Sequence, residues 1–348
     1  MQQGLPVSGG ALAGGSTQPL VEVYDAALLD LDGVVYVGPR AVDHAAEALQ
    51  AARAAGMRLA FVTNNAARTP EAVAAQLTDL GVPALASEVA TSAQAAARVV
   101  AELVPAGAAV LVVGGEGLEA ALRARGLRPV RSLDDDPAAV VQGYHPSVGW
   151  EQLAEGTFAV RRGLPWVASN TDLTIPTARG IGPGNGTLVE VIRLASGASP
   201  IVAGKPELAL HRESAERVGA QRPLVVGDRL DTDILGATRA QTDSLLVLTG
   251  VTDAVELLAA PPDRRPTYLA EDLRGLLVAH DPVDVDRGTV RLGGWTAQVR
   301  DKLLELTGGG RRVDGLRVAC VAAWTSHGMD TAGDVDTTEA CARLSAAD

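Results

Sequence analysis

Two aspartates separated by one residue, Asp30 and Asp32, follow an apolar run and precede Gly33. Side chains alternate along a β-strand, so both carboxylates would lie on one side if the strand continued and could converge at its carboxyl end if it stopped. Open parallel α/β sheets bind ligands at that end. One carboxylate could serve as a nucleophile and the other as a general acid and base. The pair alone also fits a capped turn, so further motifs must decide.

Two later motifs carry groups suited to binding phosphate. Thr63, Asn64 and Asn65 follow a second apolar run. The threonine hydroxyl and loop amides, including that of Gly33, could donate to phosphate oxygens. Lys205, between a glycine and a proline, could neutralise charge on a transferring phosphoryl group. Taken singly, the Thr63-Asn64-Asn65 motif also fits a turn, and Lys205 also fits a solvated loop.

A fourth motif runs from Asp228 to Asp233 after another apolar run. Asp228 could complete an oxygen site for Mg²⁺, which favours octahedral oxygen ligands and usually keeps several waters. The same acids could instead favour the start of a helix. All four motifs lie where strands end or helices begin, and together they predict phosphoryl transfer.

Composition narrows the class of protein. The chain has 348 residues, a formal net charge of −12 and a pI near 4.9, which argues against nucleic acid or an anionic membrane as a partner. Only two cysteines occur, which indicates a reducing compartment rather than a disulfide framework. We see no signal peptide and no apolar run of the roughly 18 residues that a membrane span needs. We therefore expect a cytoplasmic protein.

The elements that must position these motifs follow an alternating pattern. Apolar strand-like runs alternate with Ala- and Leu-rich helical stretches, which predicts an α/β fold with a Rossmann-like parallel-sheet core. The predicted core strands are Ala26–Asp30, Arg58–Thr63, Pro223–Gly227, Ser244–Leu248 and Pro266–Ala270, and the first two predicted helices are Ala41–Ala55 and Pro70–Leu80.

The length of the chain predicts more than one domain. The expected divisions are a flexible N-terminal tail (1–19), a catalytic core (20–86 and 201–280), an inserted α/β cap (87–200) and a small C-terminal domain (281–348). We expect Trp150 and Trp166 in the core of the cap, and Gly180–Gly186 to be a loop or a hinge. We expect the polar end of the chain, Thr331–Asp348, to be partly disordered.

The four motifs together resemble those of haloacid dehalogenase superfamily phosphatases that carry a large α/β cap between the second and third motifs. That branch includes the p-nitrophenyl phosphatase-like, phosphoglycolate and glycerol-3-phosphate phosphatases. The resemblance runs from Leu20 to Leu277. The C-terminal segment departs from the common pattern and resembles an extension of some actinobacterial members with glycerol-3-phosphate phosphatase activity.

The resemblance implies a role for each acid. Asp30 would attack phosphorus and carry an aspartyl-phosphate intermediate, while Asp32 would protonate the leaving alkoxide and then activate water. Mg²⁺ would be held by the Asp30 carboxylate, the Asp32 backbone carbonyl and the Asp228 carboxylate. Asp233 would orient the waters on the metal or ligate it directly.

The resemblance also implies how substrate is held. Thr63, Asn64 and Lys205 would bind the phosphoryl group, with Asn65 beside them. The cap would select the leaving group and close over the site. His145 is a candidate substrate contact there, although a lone loop histidine also fits an ordinary surface position.

We therefore predict a Mg²⁺-dependent phosphomonoester phosphatase acting on a small phosphorylated metabolite, with glycerol 3-phosphate as the first substrate. The alternatives are 2-phosphoglycolate or a broad p-nitrophenyl phosphate-type activity, then a phosphomutase or a regulatory phosphometabolite-binding protein. A homodimer is one possible assembly.

Overall fold

The computed structural model describes residues 11–177, 179–326 and 335–346. The chain divides into two compact units, of which the first comprises residues 1–59 and 220–348 and the second residues 60–219. The strands are β1 (Ala26–Asp30), β2 (Tyr36–Val37), β3 (Arg40–Ala41), β4 (Arg58–Thr63), β5 (Val89–Thr91), β6 (Ala109–Val113), β7 (Arg128–Val130), β8 (Ala139–Gln142), β9 (Trp166–Ala168), β10 (Thr174–Thr177), β11 (Gly180–Pro183), β12 (Ile201–Val202), β13 (Pro223–Gly227), β14 (Ser244–Val247), β15 (Tyr268–Ala270), β16 (Asp284–Asp286), β17 (Thr289–Leu292), β18 (Trp295–Arg300) and β19 (Leu303–Gly308).

Helices separate most of these strands. They are α1 (Leu20–Val23), α2 (Ala45–Ala54), α3 (Pro70–Asp79), α4 (Ser92–Leu103), α5 (Glu116–Ala124), α6 (Trp150–Arg161), α7 (Asn185–Ser196), α8 (Leu208–Arg217), α9 (Leu235–Arg239), α10 (Ala254–Leu258), α11 (Arg312–Thr325) and α12 (Thr338–Ser345). A π-helical turn, Leu230–Ile234, precedes α9. Within the described residues, no helix is both long enough and apolar enough to cross a membrane.

The first unit contains a parallel sheet in the order β15-β14-β13-β1. The first four residues of β1 are buried, as expected for a strand covered on both faces of a parallel sheet. Leu29 of β1 lies opposite Val226 of β13. The two strands therefore end side by side, and the residues that follow them emerge at the same edge.

The C-terminal residues of this unit form an antiparallel sheet, β16-β17-β18-β19, packed against α11. One continuous hydrophobic cluster joins them to the parallel-sheet region, because it includes both Leu230 and Ile234 of the π turn and both Trp295 and Leu316 of the C-terminal elements. The extension therefore shares a core with the elements that carry the fourth motif.

The second unit contains a parallel pair, β4 and β5, and a five-stranded parallel sheet in the order β12-β9-β8-β6-β7. Helices α6 and α7 cover one face of that sheet through Val160 and Ile192. Thr91 and Gln94 form a reciprocal capping box that starts α4. The predicted α/β fold with Rossmann-like parallel sheets is confirmed, whereas the predicted domain boundaries stay a prediction.

The N-terminal residues differ from the expected flexible tail. Residues 1–10 lie outside the described residues, but Leu12 is buried within the C-terminal core cluster. The Ser16 N–H donates to the His280 carbonyl at 2.7 Å, and the Arg317 guanidinium donates to the Leu12 carbonyl at 3.1 Å. The buried side chain of Leu12 and these hydrogen bonds hold residues 11–19 against the rest of the first unit.

Four smaller predictions differ in detail. Helix α2 begins at Ala45 rather than Ala41, because Arg40–Ala41 pair with Tyr36–Val37 in a hairpin. Residues Gly180–Pro183 form strand β11 of a second hairpin rather than a loop. Trp150 is 79% exposed at the start of α6, whereas Trp166 is buried as predicted. Within the predicted disordered end, α12 forms because it buries an apolar face; residues 331–334, 347 and 348 lie outside the described residues.

Candidate active site

Three carboxylates converge at the edge of the sheet in the first unit. Asp30 is the last residue of β1, Asp228 directly follows β13, and Asp233 lies in the π turn. Each offers a carboxylate oxygen, and these oxygens lie within 4.8 Å of one another. Asp228 and Asp233 are buried and Asp30 is half-buried. No second group of this kind occurs among the residues that the structure describes.

Backbone donors and glycines fix Asp228. Its carboxylate accepts from the Val251 N–H at 2.8 Å, and its backbone carbonyl accepts from the Thr252 N–H at 3.2 Å. A Cβ on Gly33 would lie 2.4 Å from the Asp228 carboxylate oxygen, and one on Gly250 would lie 2.0 Å from it. Only glycine fits at these two positions without displacing the carboxylate.

Gly33 shapes the turn that follows β1, and a phosphate contact by the amides around it stays a prediction. Its N–H donates to the Tyr36 carbonyl at 2.8 Å, so this amide is already used within the turn that follows β1. Its φ of +86° lies in the left-handed region that favours glycine. The residue makes the turn and gives room to Asp228.

Asp233 lies close to the other two acids rather than outside them. A Cβ on Gly227 would lie 2.2 Å from the Cβ of Asp233, so strand β13 and the π turn approach closely at this glycine. The Asp233 carboxylate accepts from the Arg229 N–H at 3.2 Å. Single π turns inside helices often mark functional sites. The position of Asp233 suits a direct ligand as well as an acid that orients water.

Asp32 is separate from the three-carboxylate group. Its side chain is exposed, and its carboxylate is not among the clustered oxygens. Partial loss of hydration raises the pKa of Asp32, and a hydrogen bond from the Gly38 backbone opposes this shift. A carboxyl with a raised pKa keeps its proton more readily, which suits an acid that protonates a leaving group.

A buried group of three acids fits a divalent cation. Three negative charges this close repel one another, and burial strengthens this repulsion because the surroundings are less polar than water. A hard cation with oxygen ligands reduces the repulsion, and Mg²⁺ in proteins is bound through few carboxylates with waters completing the octahedron. Gly33 and Gly250 make room for the Asp228 carboxylate itself, and three carboxylate oxygens within 4.8 Å of one another fit Mg²⁺.

Two further residues at this edge were not found from the sequence. The Thr249 hydroxyl donates to the Gly33 carbonyl at 2.5 Å, and Gly250 packs on Asp228. Thr249 also lines an open cleft of about 640 Å³ beside the β2–β3 hairpin. Both follow strand β14 closely. The expectation that ligands bind at strand ends applies to these two residues as well. Threonine and glycine, however, have no distinctive chemistry that would identify them in the sequence.

The second unit holds the remaining predicted residues. Thr63 ends β4, and its hydroxyl accepts from the Asn65 N–H at 3.0 Å. The Asn65 side chain in turn accepts from the Ala67 N–H at 2.8 Å. The structure therefore brings Thr63 and Asn65 together in a tight turn. Because the Thr63 oxygen accepts this bond, its own proton remains able to donate to another group.

Asn64 contacts the backbone of Lys205, although 141 positions separate the two residues. Its Oδ1 accepts from the Lys205 N–H at 2.8 Å and its Nδ2 donates to the Lys205 carbonyl at 3.2 Å. Nδ2 also donates to the Asp172 carboxylate at 3.1 Å. The two predicted phosphate-binding motifs of this unit are thus joined, but the side-chain donors of Asn64 are occupied by protein.

His145 lies in the loop after β8. Its Nδ1 is 2.6 Å from the Ser147 hydroxyl and accepts from the Ser147 N–H at 3.2 Å. A Cβ on Gly115 would lie 2.3 Å from the ring, so the imidazole packs against that glycine. These contacts shape the loop, and a substrate contact by His145 stays a prediction.

Known proteins match most of this chain. Residues 27–128 match a family model described as haloacid dehalogenase-like hydrolase, and residues 202–276 match a second, HAD-hydrolase-like model. Residues 292–346 match a GCN5-related N-acetyltransferase like domain. The first two matches contain all the predicted acids, and the third lies within the C-terminal extension.

Individual relatives agree with these matches. The D-glycerol 3-phosphate phosphatase of Mycobacterium tuberculosis is 49% identical over 257 residues, which is 74% of this chain and 72% of that protein. A crystal structure of a glycerol phosphate phosphatase from the same organism, in complex with magnesium, superposes with a TM-score of 0.82 at 42% identity and covers 89% of this chain and 93% of that one. The p-nitrophenyl phosphatase of Archaeoglobus fulgidus gives a TM-score of 0.66 at 27% identity, covering 73% of this chain and 98% of that one.

Proposed function

Since the chain belongs to the haloacid dehalogenase-like hydrolase family, we propose that it is a Mg²⁺-dependent phosphatase that hydrolyses a small phosphomonoester through an aspartyl-phosphate. The observation that supports this most strongly is the group of carboxylates formed by Asp30, Asp228 and Asp233, with Asp32 two residues beyond the first. Such a site can supply a nucleophile, a proton donor and metal ligands from one edge of a sheet.

Asp30 and Asp32 divide the chemistry between them. A carboxylate oxygen of Asp30 attacks phosphorus, the bond from phosphorus to the leaving oxygen breaks, and Asp32 gives its proton to that oxygen. Asp32, now ionised, takes a proton from a water whose oxygen attacks the phosphorus of the aspartyl-phosphate. The bond from phosphorus to the Asp30 oxygen breaks, which releases inorganic phosphate and restores the Asp30 carboxylate and the protonated Asp32. The raised pKa of Asp32 favours the protonated form that the first step needs.

The carboxylates of Asp30, Asp228 and Asp233 and the backbone carbonyl of Asp32 are the groups we assign to Mg²⁺. Bound there, the ion would reduce repulsion between the attacking carboxylate and the negative phosphoryl group. Gly33 and Gly250 contribute because they have no side chain that would displace the Asp228 carboxylate.

We assign the phosphoryl group itself to Thr63 and Lys205, together with the main-chain amide of Asn64, with Asn65 beside them in the turn. The Thr63 hydroxyl can donate, and the Lys205 ammonium supplies the positive charge that an acidic protein must place locally. The side chain of Asn64 contributes indirectly, because its donors contact Lys205 and Asp172.

We propose glycerol 3-phosphate as the first substrate. This rests on the 49% identity to a D-glycerol 3-phosphate phosphatase. It also rests on the C-terminal extension, because the glycerol phosphate phosphatase structure covers 89% of this chain, whereas the p-nitrophenyl phosphatase structure covers 73%. A broad p-nitrophenyl phosphate-type activity is the second candidate, supported by the fold shared with a p-nitrophenyl phosphatase. We retain His145 as a candidate contact to the leaving group.

A panel of phosphomonoesters tests this proposal. It should contain both enantiomers of glycerol 3-phosphate, 2-phosphoglycolate, sugar phosphates, nucleoside monophosphates and p-nitrophenyl phosphate, each with Mg²⁺ and with EDTA. We expect the highest kcat/KM for a glycerol phosphate and no phosphate release with EDTA. Release of no phosphate from any compound would contradict the proposed function, and a higher kcat/KM for another compound would contradict the substrate.

The surroundings of the enzyme are also part of the proposal. We propose a cytoplasmic enzyme without nucleic acid or membrane partners, since its net charge of −12 repels both polyanions. We also propose a catalytic core (20–86 and 201–280), an inserted cap (87–200) and a C-terminal domain (281–348), with a homodimer as the assembly. Sedimentation equilibrium would test the last point directly.

A further inference from the structure

The Asn64 side chain is fully engaged by two other segments of the second unit. An amide nitrogen has two hydrogens, and Nδ2 uses one for the Lys205 carbonyl and one for the Asp172 carboxylate. Oδ1 accepts from the Lys205 N–H, which requires an oxygen at this position and so fixes the orientation of the amide. The side chain pairs with the Lys205 backbone as another peptide group would.

The backbone around Asn64 is equally constrained. Its carbonyl accepts from the Ser92 hydroxyl and from the Asn170 amide, each at 2.6 Å. On the opposite side, a Cβ on Gly204 would lie 2.6 Å from the Asn64 Oδ1 and 2.4 Å from the Ser169 carbonyl. The segment that precedes Lys205 therefore packs closely against Asn64, and only a glycine at position 204 permits this contact.

Asp172 is held in a tight loop after β9. The Asp172 N–H donates to the Asn170 Oδ1 at 3.2 Å, and the Asp172 carbonyl accepts from the Gly186 N–H at 2.8 Å. A Cβ on Gly184 would lie 2.2 Å from the Asp172 carbonyl. The carboxylate that accepts from Asn64 is consequently attached to a rigid backbone, and a charged acceptor strengthens that bond.

We propose that Asn64 and Asp172 are positioning residues that hold the Lys205 backbone, and hence the root of its side chain, in one place. The proposal rests on the proposed function, in which Lys205 binds the phosphoryl group. A long flexible lysine side chain loses less freedom on binding when its backbone is fixed, and groups that contact reacting atoms need such support. Asn64 thus acts through Lys205, and Asp172 acts through Asn64.

A double-mutant cycle tests this inference. Asn64→Ala should lower kcat/KM by about 100-fold, since a misplacement of about 1 Å can cost that much. In a Lys205→Ala background the same change should lower kcat/KM by no more than about twofold, because the group being positioned is gone. Equal effects in both backgrounds, or an unchanged Asn64→Ala enzyme, would overturn the inference.

Affinity for inorganic phosphate gives a second readout that does not need turnover. Titration calorimetry with Mg²⁺ should show the same non-additivity for Asn64→Ala and Lys205→Ala. Asp172→Asn keeps one carbonyl that can accept from Asn64 and should bind phosphate more tightly than Asp172→Ala; equal affinities would contradict the role of Asp172. Glu190→Gln, in an exposed ion pair with Arg193 on α7, is the matched control and should leave both quantities unchanged.

The two levels of the proposal fail separately. A wild-type enzyme that hydrolyses no phosphomonoester contradicts the proposed function. A wild-type enzyme that hydrolyses one, combined with additive effects of Asn64 and Lys205, contradicts only the positioning role. Thermal unfolding of each variant shows whether a loss arises from the site or from the fold.

Discussion

At the scale of single residues, glycines shape this site as strongly as charged side chains do. Gly33, Gly227 and Gly250 each border a carboxylate so closely that a Cβ would lie 2.0 to 2.4 Å from the nearest atom. The acids keep their positions because these three neighbours have no side chain. Their contribution is steric, and it is testable by adding one methyl group.

Gly250→Ala should weaken binding of Mg²⁺. The new Cβ would lie 2.0 Å from the Asp228 carboxylate oxygen, so that carboxylate must move. Disturbing the support of a metal ligand costs about 10- to 100-fold in metal affinity or activity. The concentration of Mg²⁺ at half-maximal activity should rise accordingly. Gly309→Ala, where the added Cβ meets nothing within 4 Å, should behave like the wild type; equal Mg²⁺ requirements in both variants would contradict this role.

The sequence revealed the acids at this scale because each follows an apolar run, and strands of a parallel sheet end at a shared edge. It could not reveal that Asn64 contacts Lys205, because 141 positions separate them and nothing in either local pattern encodes the pairing. For a related reason, the sequence could not reveal the steric role of Gly33. Its steric function depends on Asp228, which comes from a different strand.

At the scale of elements, helix α8 illustrates how burial alters chemistry. Glu213 on this helix is buried and bonds Arg125 and Arg217 at 2.7 and 2.8 Å. His211, two residues earlier, is half-buried, and its buried Nε2 has no hydrogen-bond partner among the described residues. The cost of burying Glu213 is offset by its two arginine partners, whereas His211 avoids this cost by remaining neutral.

The burial of His211 should make the protein less stable in mild acid. Loss of hydration lowers the pKa of His211 to about 4, below the value near 6.5 expected in the unfolded chain. Between these pH values the unfolded state binds the extra proton, so the free energy of unfolding falls as the pH falls. Allowing for partial exposure, the contribution is about 2 kcal/mol by pH 4.

Chemical denaturation at several pH values checks this prediction. His211→Leu removes the titration, so the stability of the variant relative to the wild type should rise as the pH falls from 7 to 4. At pH 8 both chains carry a neutral group at this position, which provides the internal control. A constant difference across the whole range would show that His211 does not contribute to acid sensitivity.

Elements were predicted well where the hydrophobic pattern was long. The cores of β1, β4 and β13 match the predicted strands because parallel-sheet strands are apolar on both faces. The start of α2 was wrong because the short hairpin β2–β3 has only two residues in each strand and gives no periodic signal. Hairpin β10–β11 differs from the predicted loop or hinge because the glycines within β11 are typical of loops.

At the scale of the whole molecule, the C-terminal extension is part of the first unit rather than an appendage. The Trp324 indole donates to the Leu258 carbonyl at 3.1 Å, and the Arg265 guanidinium lies 4.8 Å above the centre of its ring. Leu316 belongs to the same hydrophobic cluster as Ile234, which neighbours Asp233. The sequence showed that an extension exists, but not that it shares a core with the π turn that carries Asp233.

Leu316→Ala should therefore destabilise the catalytic region together with the extension. Leu316 is 1% exposed, and truncating a buried leucine costs about 2 to 5 kcal/mol. Activity and circular dichroism should be lost in one transition at a lower temperature than in the wild type. The exposed Leu194→Ala is the control and should change stability by no more than about 0.5 kcal/mol. Activity that survives melting of the extension would contradict the shared core.

The most direct test of Asp30 as the nucleophile of a Mg²⁺-dependent phosphatase is phosphate release from glycerol 3-phosphate by the wild type and by Asp30→Asn, each with Mg²⁺ and with EDTA. Asparagine keeps the shape of the side chain but removes the nucleophile and one charged ligand, whereas Asp134→Asn changes an exposed aspartate outside the site. We expect turnover by the wild type and Asp134→Asn only when Mg²⁺ is present, and none by Asp30→Asn. Hydrolysis by Asp30→Asn at the wild-type rate would contradict the role of Asp30 as nucleophile.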